Sequence, residues 1–326
     1  VAGLLLTLSA VWVLLAKRGP LRNERRMNIG TLKNNIFSWI TTRTALVLVT
    51  IALTLVARST PVHAEDPEIT SRRTAERTDF TDDEIRRGFF KIAFQAELQL
   101  DAKANRIRKF DEPIRIFVDS KAAPDRSSQI GDVVADIRAR MNHLDIAITD
   151  DRDAANFVVT LVRDSDVDAT IRARYGAERA SQIQQSLHPQ CLSGIGKDGR
   201  FRIRRAEAIL PVDAGDFTFY DCAYEELLQG LGAINDDSSV PWTMFNDDVQ
   251  MGFFDVYDQY LLNILYDPRV RPGMTRREIE ALMGGVLQTA RSWVSSVNPS
   301  GHAAPHNASR AVTEGALQVP RSQEAN

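Results

Sequence analysis

The chain has 326 residues, 44% of them hydrophobic and 25% charged, an ordinary globular composition with room for one substantial core or two small ones. A formal net charge of -3 gives no electrostatic reason to expect nucleic acid or an anionic membrane surface as the main partner.

Two apolar stretches open the chain. Leu4 to Ala16 is shorter than the run of about 20 apolar residues a spanning helix needs, and a Met stands at Met27. Residues 1–26 therefore read as an over-called upstream segment or a short apolar segment. Lys33 and Arg43, the apolar run Ala45 to Val56 and the small-residue site Val62-His63-Ala64 make residues 27–64 a signal peptide. The expectation is an exported, periplasmic protein starting near Glu65. The alternative is an uncleaved N-terminal helix as the one membrane contact, with Lys17, Arg18, Arg22, Arg25 and Arg26 on the cytoplasmic side.

Residues 65–79 are charged, lack an apolar period and read as a linker. From Phe80 to Ala104, acidic Asp82-Asp83-Glu84 followed by Phe89, Phe90, Ile92, Leu98 and Leu100 predicts a helix. Ile114 to Val118 alternates as a strand does, and Asp132 to Leu144 has helical spacing. Ile146 to Ile148 and the nearly all-apolar Phe157 to Val162 predict two more strands, the second of them central. Asp164-Ser165-Asp166-Val167-Asp168 has the first spacings of a calcium loop, but Ala169 replaces the needed glycine and Tyr175 fills position twelve. It reads as a polar loop. A helix over Ala177 to Leu187 precedes an extended segment, Phe201 to Val212, read as the edge strand above a cleft.

Export changes the meaning of Cys191 and Cys222, because an oxidising compartment favours pairing them. A zinc site built from His188, Cys191 and Cys222 is the competing idea. Past about residue 294 the chain is rich in Ser, Asn, Pro, Ala and Gly, so residues 294–326 read as a disordered tail. His302 and His306 fall within it and are not counted as ligands.

The most informative stretch runs from Tyr224 to Asp236. It has the frame of a zinc-protease helix, H-E-x-x-H-x-x-G-x-x-H/D, with Glu225 and Gln229 at the histidine positions and Glu226 at the base position. Gly232 keeps the turn, and Asn235 or Asp236 stands where a third ligand would be. Trp242-Thr243-Met244-Phe245 is placed like a methionine turn, making Trp242, Met244 and Phe245 candidate cleft residues. Phe254 to Asp267 then reads as a C-terminal helix closed by Pro268. Through these motifs, Glu-Glu-Leu-x-Gln-x-Leu-Gly, the Asn-Asp pair and Leu-Tyr-Asp-Pro-Arg, the chain from about Phe80 to Met283 resembles the bacterial family called domain of unknown function 2927. The resemblance implies an α+β, zincin-like domain over residues 80–293, with a small mixed sheet, a central motif helix and a C-terminal helix.

The candidate site supports two readings. Glu226 could serve as general base, with Glu225, Gln229, Asn235 and Asp236 holding a divalent cation through oxygen. Such donors suit Ca, Mg or Mn better than zinc. Alternatively, the two glutamates sit on a solvated face while Leu227, Leu228 and Leu231 are buried. The acidic turn Asn246-Asp247-Asp248 repeats that of Asn235 to Asp237, and together they could bind a cation or a basic peptide. No Ser-His-Asp or Cys-His set is visible. The expectation is a protein without conventional zinc peptidase activity or a resident cofactor, binding a peptide or envelope protein in its cleft. The alternatives are a metal-dependent hydrolase and a structural envelope protein.

Overall fold

A computed structural model describes residues 65–94, 105–187 and 189–298. The N-terminal segments 1–26 and 27–64 and all of the tail beyond Asn298 lie outside the described residues, as does His188. The fold is α+β. Five strands form one mixed sheet in the order β2-β1-β3-β5-β4. They are β1 (Ile114–Ser120), β2 (Ile146–Ile148), β3 (Phe157–Val162), β4 (Leu192–Lys197) and β5 (Ile203–Pro211). The first three and β5 run parallel, and β4 pairs antiparallel with β5 at the sheet edge.

The apolar run of β3 is central as its sequence predicts, flanked by β1 and β5. Phe201 to Val212 is not the edge strand: β5 is covered on both sides, and the edge is β4, whose Leu-Ser-Gly-Ile-Gly-Lys sequence carries two glycines that dilute any β signal.

Eight α-helices lie among the described residues: α1 (Pro67–Ala75), α2 (Asp82–Ile92), α3 (Ser127–Arg140), α4 (Val167–Tyr175), α5 (Ala177–Leu187), α6 (Asp216–Gly230), α7 (Val256–Tyr266) and α8 (Arg276–Val297). Five depart from expectation. The helix read over Phe80 to Ala104 is α2, which ends at Ile92, with residues 95–104 outside the described ones, and the one read over Asp132 to Leu144 is α3, which starts earlier and ends at Arg140. Residues 65–79 contain α1, started by Asp66, whose carboxylate accepts from Glu68 N at 2.8 Å, with Pro67 at the first helical position. The calcium-like stretch is a short 3₁₀ turn, Asp164–Asp166, leading into α4, so its carboxylates are not arranged as a cation loop. And α8 is a full helix, opened by a reciprocal capping box between Thr275 and Glu278. Its Val294 is 1% exposed, so the ordered domain extends past residue 293.

The helices divide between the faces of the sheet. Ala208 and Leu210 on β5 join the large core with α2, α3, α6, α7 and α8. Ile209 points the other way, as alternation along a strand requires, and packs with Val167, Ile171, Ala180 and Ile183 of α4 and α5. Every residue of α7 is buried, which makes it the axle of the large core. At the end of α6, Gly232 has φ +120°, and a Cβ there would sit 2.1 Å from the Arg108 carbonyl oxygen. Only glycine allows this turn and this close approach.

Among the described residues no helix is long and apolar enough to cross a membrane.

Candidate functional site: an acidic cleft beside an open strand edge

A cleft of about 420 Å³ lies between α6 and β4, within the range of about 300–1,000 Å³ usual for ligand sites. The helical repeat builds one wall. Asp221, Glu225 and Gln229, four residues apart, share a face of α6, and Cys222 and Glu226 stand beside them. The opposite wall is Leu192 to Ile195 of β4, whose outer edge has no strand neighbour among the described residues. The Cys191–Cys222 disulfide joins the two walls, with its Cα atoms 5.9 Å apart. Both cysteines are thereby removed as zinc ligands, and the bridge fits an oxidising compartment. A third side is formed by Ile234 and Asp236 and by the stretch Asn246 to Gln250.

The cleft is strongly acidic. Asp221, Glu225, Glu226, Asp236 and Asp247 line it, against Arg179 as the basic residue of the lining. One carboxylate oxygen from each of Glu225, Asp236 and Asp247 falls within 4.8 Å of the others. Burial, then the neighbouring charges of Glu226, Asp236, Asp221 and Asp247, push Glu225 well above the usual carboxylate range. Burial also raises Asp221, to about 6, although Met251 N and Gly252 N donate to it at 2.7 and 3.2 Å. Glu226 is 5% exposed and so is no solvated surface residue.

Gln229 spans the cleft. Its carbonyl oxygen accepts from Ser193 Oγ on β4 at 2.9 Å, and its amide nitrogen donates to both oxygens of Asp236, at 3.0 and 3.2 Å. The side chain at the second histidine position of the motif therefore orients Asp236 and presents its donor to the acidic cluster. Asn235 is turned away, donating to the Lys91 carbonyl at 3.1 Å. The four metal-ligand candidates thus separate: Glu225 and Asp236 converge, Gln229 braces Asp236, and Asn235 faces elsewhere. Asp247, part of the acidic turn that the sequence pairs with Asn235 to Asp237 for a cation or a basic peptide, completes the cluster.

The cleft candidates after the helix are also placed differently. Met244 and Phe245 are buried in the main core. Trp242 is 37% exposed, with Arg77 4.5 Å above its ring and Phe80 edge-on at 6.2 Å. None of the three lines the cleft. Asp258 fixes this loop by accepting from Thr243 Oγ1 and from Met244 N, and the cleft wall is formed by the residues that follow.

Residues 82–284 match the family model described as Protein of unknown function (DUF2927). The chain belongs to this family. The DUF2927 match runs from the start of α2 into α8 and so takes in the whole sheet and every wall of the cleft. No curated protein and no solved structure matches the chain.

The donor set does not fit zinc. Histidine and cysteine dominate zinc sites, whereas this cleft offers carboxylates and, at the second histidine position of the motif, an amide already committed at both ends. Three carboxylates are a hard-oxygen set of the kind that suits calcium, magnesium or manganese.

Proposed function

We propose that this DUF2927 domain is an exported binding domain whose cleft takes an extended, positively charged peptide segment, such as one from an envelope protein, without zinc peptidase chemistry. The single observation behind this reading is the pairing of an open strand edge with five carboxylates across one cleft. An extended segment can add to β4 through main-chain hydrogen bonds, which give affinity independent of sequence. A Lys or Arg side chain directed at Glu225, Asp236 and Asp247 would relieve their mutual repulsion and supply the selectivity. The motif frame on α6 and the antiparallel strand beside it support descent from a zincin-like ancestor whose metal ligands have been replaced.

The test is calorimetric titration of the full chain with a short neutral peptide carrying one central Lys, with its Glu counterpart, and with a version N-methylated at alternate amides. The Lys peptide should bind. Affinity should fall at least tenfold with Glu in place of Lys, with N-methylation, or with Asp236→Asn and Asp247→Asn together. Equal binding of the Lys and Glu peptides would reject the charge argument, and indifference to N-methylation would reject strand addition.

The convergence of three carboxylates favours a second reading, in which a hard divalent cation occupies the cluster and Glu226 acts as general base of a hydrolase. Elemental mass spectrometry of the purified chain separates the two, since this second reading requires stoichiometric metal that Glu225→Ala loses.

A further inference from the structure

Helix α1 crosses the segment that joins the cleft wall to α7. Ile69, its one buried residue, packs at Gly252, where a Cβ would come within 2.9 Å of the Ile69 side chain. The Arg72 guanidinium donates to the Gln250 carbonyl and lies 4.8 Å over the Phe217 ring. Arg73 lies 4.2 Å over Phe253. Just past the helix, the Glu76 carboxylate accepts from Val256 N at the start of α7. One apolar side chain and a row of polar contacts hold α1 to residues 250–256. That is a weak grip compared with the apolar packing of α2 and α7.

Beneath Glu76 lie two more carboxyls. Asp255 caps α7 by accepting from Asp258 N at 3.0 Å, and both side chains are buried, 1% and 0% exposed. We propose that α1 is a pH-gated strap. It stays docked on residues 250–256 while the Glu76, Asp255 and Asp258 cluster holds its protons, and releases as the cluster ionises, loosening the Asn246–Gln250 wall of the cleft.

The surroundings support this. Burial and then Asp255 raise Glu76 to about 7, opposed by the Val256 N–H and by the charges of Arg73 and Arg140. Arg140, at the end of α3, is already engaged by Asp136, which also accepts from Tyr224 Oη at 3.1 Å. Burial raises Asp258 to about 6 and Asp255 well above its ordinary range. From the α2 side, Glu84 and Arg87 act on Tyr257, which stands between the aspartates.

The sign follows from linkage. An undocked Glu76 titrates near the ordinary 4.5 and the docked one near 7, so docking favours the proton. It weakens as pH rises from about 4.5 to about 7 and changes little above that. For Glu76 alone, the opening constant rises on the order of 50-fold between pH 5 and pH 8.

The experiment is hydrogen–deuterium exchange on the full chain at pH 5 and pH 8, corrected for intrinsic rates, with β3 amides as internal reference. Wild-type amides in α1 and in residues 246–252 should show that rise, and Glu76→Gln, which leaves only Asp255 and Asp258 to ionise, should lose clearly less protection between pH 5 and pH 8. Equal protection at both pH values in wild type, or a loss in Glu76→Gln as large as in wild type, would overturn the strap. Should Glu76→Gln not fold, Ile69→Ala leaves the carboxyls intact: it should open α1 more at pH 5 while preserving the pH 8 to pH 5 ratio, and a ratio of one would overturn the proposal. No ligand is needed, so the peptide reading of the cleft stands or falls separately.

Discussion

Glu225→Gln is expected to stabilise the protein, and increasingly so as pH rises. Glu225, Asp236 and Asp247 bring carboxylate oxygens within 4.8 Å of one another. At an effective dielectric near 20, two unit charges at that distance repel by about 3.5 kcal/mol. The protein lessens this by keeping a proton on Glu225, whose titration is pushed well above the ordinary range by burial first and by its acidic neighbours second. Glu225 in the unfolded chain ionises freely, so the folded state is disfavoured progressively as pH climbs above the unfolded carboxylate value. Glutamine keeps the shape and removes the charge. The variant should match wild type near pH 4 and exceed it at pH 8 by roughly 3 kcal/mol, the order of the single-pair Coulomb figure. Denaturant unfolding of both proteins at the two pH values, with the m-value as a check on the denatured state, measures this directly. A variant no more stable than wild type at pH 8 would refute the view that these carboxylates are held together under strain at a functional site.

Two further outcomes follow from the same geometry. Replacing Cys191 and Cys222 by serine opens a bridge between residues 31 apart in sequence and should cost about 3 to 4 kcal/mol in the chain-entropy account; unfolding free energies from denaturant titration less than about 1 kcal/mol apart would mean that the bridge constrains little. Gly232→Ala puts a methyl 2.1 Å from the Arg108 carbonyl at φ +120°, and a loss of about 3 kcal/mol or more is expected in thermal melts, whereas an unchanged Tm would show that the turn can relax.

Much of the sheet was legible because alternation and apolar runs are local. Phe157 to Val162 was readable as a central strand from its composition alone, and Ile146 to Ile148 from three residues between turns. The edge strand was not, since two glycines in Leu192 to Lys197 erase the β signal and its identity rests on antiparallel pairing with β5. α1 was hidden because only Ile69 is buried, leaving no apolar period, although Asp66-Pro67 is a start signal. The Thr275 to Glu278 capping box likewise marked α8 and could have been read.

At the site, spacing by four on α6 correctly brought Glu225 and Gln229 to one face. What spacing could not reveal was side-chain direction after the helix. Asn235 and Asp236 are adjacent in sequence yet point to Lys91 and to Gln229, respectively. The Trp242 to Phe245 loop resembled a cleft floor in sequence, but Asp258 draws it into the core, and the acidic turn just beyond supplies Asp247 to the cleft instead.

The most direct test of the central claim is an unbiased peptide selection on the full chain, run in parallel on wild type and on the Asp236→Asn, Asp247→Asn double variant. The account predicts that wild type enriches extended peptides with Lys or Arg at one fixed position and that the double variant loses this enrichment. Enrichment of acidic or purely apolar peptides, or basic enrichment that survives in the double variant, would contradict it.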